Sequence, residues 1–235
     1  MVMKLNKTLM FLWISGVILL FFVLNNAMNS ENVAVTLPVN DRIIVIDAGH
    51  GGIDGGAVSE TGLVEKDINL KIAKYLEGYL KDAGAKVVMT RNDDRGLYSE
   101  ENATVKNKKR QDLLKRREIA NSSGADMMIS LHLNKFEQSQ YKGAQVFYET
   151  NFADSKKLAT AIQKSLKENL DKSNTRMEMK IDSSKLQFQK LSIPSVIVEC
   201  GFLSNQEESI KLSTDEYQRK VALSIYLGVI NFYNS

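Results

Sequence analysis

The apolar positions of this chain change period along its length, and the changes mark out a succession of elements. Leu9–Leu24 (LMFLWISGVILLFFVL) is an almost unbroken apolar run, interrupted only by Ser15 and Gly16. It is apolar all round rather than striped, which sets it apart from a helix packed on a domain core. A polar stretch follows, and Ile43–Ile46 then opens a β-branched run that ends in Asp47 and enters Ala48-Gly49-His50-Gly51-Gly52. That pattern predicts a buried strand running into a glycine-rich loop. From Lys66 to Asp82 the residues Ile68, Ile72, Tyr75, Leu76, Tyr79 and Leu80 recur at helical spacing, and Gly84 supplies a stop.

The same alternation continues to the end of the chain. Strands are predicted at Lys86–Thr90, Asp126–Leu131, Gln145–Glu149 and Ser195–Glu199, the last introduced by Pro194. Helices are predicted at Asp112–Asn121, Ala153–Leu170 and Tyr217–Phe232. Strands alternating with helices predict an α/β fold whose sheet is covered on both faces. The polar stretches Gly96–Arg110 and Asp171–Leu186 read as loops that shape access to a site.

Composition adds the compartment and removes one class of partner. With 43% hydrophobic residues in a chain of 235, a full core needs no disulfide, and Cys200 is the only cysteine. Residues 31–235 carry 29 basic and 28 acidic side chains, a balance without the footprint of a nucleic-acid binder. Lys4 and Lys7 precede the apolar run, and no acidic residue occurs before Glu31. Residues 1–30 therefore read as an export segment, either a signal peptide or a membrane anchor. At 16 residues the run is shorter than the roughly 20 that span a bilayer comfortably. The stretch behind it has neither a small-x-small cleavage site nor a lipid-bearing cysteine, which tilts the reading to an uncleaved anchor. The lysines keep the N-terminus inside and place the rest of the chain outside the cytoplasm. Residues 31–41 then form a linker and 42–235 a single catalytic domain.

The chemistry is concentrated at strand ends. Only His50 and His132 occur in the whole chain, each at or just after the end of a predicted strand, where open α/β sheets place ligands. A lone histidine is most often a turn or core residue, but two at such positions point to one site. The loop GHGGIDGG lacks the Gly-Lys-Ser/Thr ending of a phosphate loop, and Asp54 stands where a dinucleotide fingerprint has its third glycine. A carboxylate there repels phosphate, so a metal is preferred, with Glu65 as candidate third ligand and an open position for water. The plain alternative for Glu65 is a first-turn carboxylate favoured by the helix dipole. Glu199 ends an apolar strand and, beside a metal, suits a proton relay. Cys200 next to it reads as a buried structural thiol, since both histidines are engaged and no base is left to activate it. The basic run Lys106–Arg117 reads as a solvated loop and helix face rather than a polyanion site.

Taken together, IVIDAGHGGIDGGA, GLVEKD at 62–67, TRNDD at 90–94, SLHLN at 130–134 and VECGFLSN at 198–205 resemble the zinc N-acetylmuramoyl-L-alanine amidases of the Amidase_3 group. The resemblance runs from Ile43 to the C-terminal helix. It implies a twisted mixed β-sheet with helices on both faces, one zinc ion held by His50, Glu65 and His132, and Glu199 as the catalytic carboxylate. The implied substrate is the amide between the lactyl group of N-acetylmuramic acid and L-alanine of the peptidoglycan stem peptide. Ser130, Asn134 and Asp54 are candidates for orienting the ligands. Only about ten residues separate His132 from the next strand, too few for the autoinhibitory helical insertion of larger relatives, and no wall-binding repeat is present. That layout resembles the sporulation members that prepare spore cortex for germination, acting in the wall space or between the forespore membranes. An accessory or activating protein is then an expected partner. The competing expectations are a vegetative wall autolysin, a zinc peptidase acting on wall peptides, and a non-catalytic wall-binding protein.

Overall fold

The β-branched runs pair as strands and the striped runs pack on them in a computed structural model that describes residues 13, 15–21, 36–99, 104–181, 185 and 187–235. The chain divides into Met1–Thr36 and Leu37–Ser235. In the first unit, residue 13 and residues 15–21 are helical, and Trp13 and residues 17–21 expose large apolar side chains. The rest of the predicted export segment, and linker residues 31–35, lie outside the described residues. Among the described residues no helix is long and apolar enough to cross a membrane.

The second unit is built on a six-stranded sheet of order β2-β1-β3-β6-β4-β5. The strands are β1 (Ile43–Ala48), β2 (Lys86–Met89), β3 (Met127–Asn134), β4 (Gln145–Tyr148), β5 (Met179–Lys180) and β6 (Ser195–Phe202). β2, β1, β3 and β6 run parallel, β4 is antiparallel to β6, and β5 is parallel to β4, so the sheet is mixed. The helices are α1 (Glu65–Asp82), α2 (Val105–Ser122), α3 (Ala153–Asn169), α4 (Gln206–Leu212) and α5 (Asp215–Tyr233).

Side-chain alternation along the strands divides the interior in two. Ile44, Ile46, Ala48, Met127, Ile129, Leu131, Val196 and Val198 face one way and form the larger core with α1, α3 and α5. Val45, Met128 and Ile197 face the other way, where Ala120 of α2 and the segment carrying Phe188 and Leu191 form a smaller core. By the same alternation Asp47, Ser130, His132 and Glu199 project to this thinner side, at the C-terminal ends of adjacent parallel strands. The site thus lies where the cover is incomplete.

Three elements depart from the sequence pattern. α2 starts at Val105 rather than Asp112, inside the predicted loop, because the Thr104 side chain accepts from the Asn107 N–H and caps the helix. Its first turns carry mainly charged side chains, so no apolar stripe announces them. β5 lies within the other predicted loop and is two residues long with both residues exposed. α4 is additional, opened by the Asn205 carboxamide accepting from the Glu208 N–H, an N-x-x-E signature that the sequence does contain.

Candidate metal centre

Glu65 stands first in α1, after Val64 in extended conformation, so its carboxylate turns back from the helix start toward the β1 loop and β3. It is 3% exposed, yet its oxygens are well supplied with donors. Oε2 accepts from Ala57 N–H at 2.8 Å and Oε1 from Leu133 N–H at 3.0 Å. Oε1 also lies 3.1 Å from His50 Nε2 and 3.1 Å from His132 Nδ1. One donor atom from each of these three residues falls within 4.8 Å of the others, and the two imidazole rings meet edge to face at 4.9 Å.

Two glycines leave the room this convergence needs. A Cβ on Gly49 would stand 2.4 Å from His132 Cε1, and one on Gly56 would stand 2.5 Å from Glu65 Oε2. On the outer side, His50 Nδ1 lies 2.9 Å from Asp54 Oδ2, which fixes the tautomer that leaves Nε2 free to ligate. The two carboxylates favour positive charge at the imidazoles between them. Burial pushes the His50 imidazole down, but its contacts with Asp54 and Glu65 outweigh this and raise it to about 9. Burial likewise pushes Glu65 up, and the contacts with His132 and His50 outweigh it, holding the carboxyl far below its ordinary range. A His/Glu/His set with half-buried imidazoles and a buried, ionised carboxylate is the donor chemistry of a zinc site with an open position, and the residues fit that ion.

The loop that carries His50 is held by its carbonyls. His50 has φ 63°, in the left-handed region, which costs a non-glycine residue on the order of 1–2 kcal/mol. Arg91 donates to the Ala48 carbonyl at 2.8 Å and to the Gly49 carbonyl at 3.0 Å. Arg116 donates to the Ala48 carbonyl at 2.8 Å and to the His50 carbonyl at 2.6 Å. Hydrogen bonds to charged groups contribute about 1.5–3 kcal/mol each, so these four outweigh the backbone penalty. Arg116 belongs to the basic run expected to be a solvated face, but it is buried between Asp47 and Asp112. Lys109 of the same run pairs with Asp54 at 2.8 Å. Ser130 donates to Asp47 at 2.6 Å rather than to a ligand, so its predicted orienting role passes to Asp54 alone among the contacts just described. Asn134 gives its carbonyl to the Leu203 N–H.

Glu199 is the register partner of His132 on the neighbouring strand. Its Oε2 is buried without a hydrogen-bond partner among the described residues. Burial pushes its pKa up, with His132 opposing and Glu65 reinforcing the rise. Glu199 and the three donors line one cleft of about 390 Å³, with Lys109 and Arg116 on its α2 side. Cys200 points into the larger core, its thiol 3.5 Å from the Val198 carbonyl, and burial drives its pKa well above the ordinary thiol value. It is a structural thiol, as its position predicts.

A family model described as N-acetylmuramoyl-L-alanine amidase, Amidase_3, matches residues 44–231, a span that contains the sheet, the three donors and Glu199. The chain belongs to this family. It is 40% identical over 198 residues to the germination-specific N-acetylmuramoyl-L-alanine amidase of Bacillus subtilis strain 168, covering 84% of this chain and 82% of that one. It is 27% identical over 235 residues to the amidase AmiA of Escherichia coli K12, covering 82% and 76%. Among solved structures, the CwlD amidase of Clostridioides difficile, determined in complex with the GerS lipoprotein, superposes with a TM-score of 0.80 at 44% identity, covering 83% of this chain and 99% of that one. The amidase fold and activity expected from the motifs are therefore established: this Amidase_3 member is a peptidoglycan amidase, and its work lies outside the cytoplasm. Residues that pattern alone did not single out are Arg91, Arg116 and Asp47. Arg91 stands within the TRNDD motif, which is the one signal that could have drawn notice to it.

Proposed function

We propose that His50, Glu65 and His132 of this amidase hold one zinc ion and that Glu199 moves the protons of amide hydrolysis. The observation that carries this reading is that Glu199, one oxygen of which is buried without a partner among the described residues, lines the same cleft as the convergent His/Glu/His donors. Zinc, when bound, supplies Lewis acidity, which polarises a carbonyl and makes water acidic enough to lose a proton near neutral pH. Glu199 takes the proton of the attacking water, and burial, which raises its pKa, makes its carboxylate the stronger proton acceptor. It then gives that proton to the departing nitrogen of L-alanine, leaving the lactyl carboxylate and a free amino terminus. Asp54 holds the His50 ring in orientation throughout, and the Glu65 carboxylate is kept ionised by its histidine neighbours.

The cellular setting we assign is the spore cortex, where removal of the stem peptide from N-acetylmuramic acid precedes muramic-lactam formation. The support is the likeness to the germination-specific relative and the near-complete coverage of the CwlD chain. A lipoprotein partner of the kind seen with CwlD fits the same setting, and residues 1–30 hold the enzyme at the outer face of the cytoplasmic membrane. Zinc content beside the release of new L-alanine amino termini from purified peptidoglycan tests the chemistry. One zinc per chain with activity lost to a chelator is the expected result; activity retained by metal-free protein would overturn the assignment. For the setting, spores of a strain lacking the enzyme should have cortex without muramic lactam and fail to germinate.

A further inference from the structure

Arg116 is the side chain beside the cleft that the reaction leaves unused and that the fold engages most. It comes from α2, on the thin side of the sheet, and is 1% exposed. Its Nε donates to Asp112 Oδ2 at 2.5 Å and its Nη1 to Asp47 Oδ1 at 2.6 Å. Both carboxylates are themselves fixed, Asp112 by the Leu97 N–H at 2.8 Å and Asp47 by Ser130 and Thr90. A planar guanidinium pinned on two sides has one direction left for its remaining arm, and Nη2 reaches the His50 carbonyl at 2.6 Å. That carbonyl belongs to the residue with φ 63°, and the Gly49 carbonyl on its other side is held by Arg91 at 3.0 Å, so both peptides flanking the His50 Cα are anchored and with them the direction in which the imidazole leaves the backbone.

We infer that Arg116 is a positioning residue of the metal centre: it locks the His50 peptide in the left-handed conformation that aims the imidazole at Glu65, and so sets metal affinity as well as fold stability. The inference rests on His50, Glu65 and His132 being the donors. It goes beyond a structural role in a measurable way. A buried ion cluster that only stabilises the fold shifts the balance between folded and unfolded chains, and the folded chain keeps its affinity. A group that orients a ligand changes the affinity of the folded chain itself.

The test compares Arg116→Lys and Asp112→Asn with the unsubstituted chain. Lysine keeps the positive charge between the two aspartates, but its donors radiate from one atom and cannot span both carboxylates and the His50 carbonyl. Asp112→Asn keeps the guanidinium and loosens its anchor. Zinc affinity is measured by competition with a chelator at a temperature where every variant is folded, beside melting of the metal-free proteins and the visible absorption of the Co²⁺-loaded ones. We expect Arg116→Lys to bind zinc ~10–100-fold more weakly, the usual effect of losing a partner behind a ligand. Its Co²⁺ band should change, and Asp112→Asn should shift affinity in the same direction by less. Variants that bind zinc as tightly as the unsubstituted chain, with an unchanged Co²⁺ band, would overturn the inference whatever their melting temperatures. Should Arg116→Lys not fold, Asp112→Asn decides by the same criterion. An unsubstituted chain that takes up no zinc would refute the donor assignment itself, a result distinct from unchanged variants.

Discussion

Asp47 carries its charge in the interior, wholly buried beside Arg116, Ser130 and Thr90. Burial alone would raise its pKa, but Arg116 and the Ser130 hydroxyl prevail and hold it down to about 2. In the unfolded chain an aspartate titrates near ~3.9. A folded-state value below the unfolded one means that the ionised group stabilises the fold above about pH 4 and that this is lost as pH falls toward about 2. The difference amounts to about 2–3 kcal/mol. Urea midpoints measured from pH 6 to pH 2 for the chain and for Asp47→Asn isolate it: the variant should show the smaller acid-side decline, and equal declines would contradict the assignment. At this scale the candidate donors His50 and His132 stand out in sequence because histidine is scarce here and sits at strand ends. Arg116 does not, since its partner Asp47 lies 69 residues away and nothing local distinguishes a buried arginine from its solvated neighbours.

Elements were legible where burial imposes a period. β1, β3 and β6 are each buried along most of their length and read clearly, whereas β5 has neither face covered and leaves no pattern. The sequence pattern of α2 is clear only in its second half, where Ala120 reaches the smaller core; its first turns depend on the Thr104 cap. Contact between α3 and α5 turns on Gly228, where a Cβ would stand 2.6 Å from Ile162 Cα. Gly228→Ala therefore sets two effects against each other. Alanine gains about 1 kcal/mol of helix propensity, and overpacking a rigid backbone contact costs about 1–3 kcal/mol. A net loss of stability on the order of 1 kcal/mol is expected from thermal or urea unfolding, with zinc content unchanged; a stabilised variant would show that the helices separate freely.

The whole molecule joins the proposed metal centre to a sheet with an apolar core of its own. The larger core contains β1, β3 and β6 positions together with α1, α3 and α5, and none of the three donors belongs to it. Removing zinc should therefore abolish hydrolysis while the far-ultraviolet circular dichroism stays near that of the loaded enzyme; global unfolding on chelation would show that the metal completes the fold. The central claim divides the cleft into residues that hold metal and one that moves protons. Its most direct test is zinc content measured beside turnover on peptidoglycan for Glu199→Gln and His132→Ala. Glu199→Gln keeps the shape of the side chain and loses the proton acceptor, so it should retain one zinc while turnover falls ~10²–10⁴-fold, and His132→Ala should lose both. A Glu199→Gln protein that lost its zinc, or kept full activity, would contradict the account.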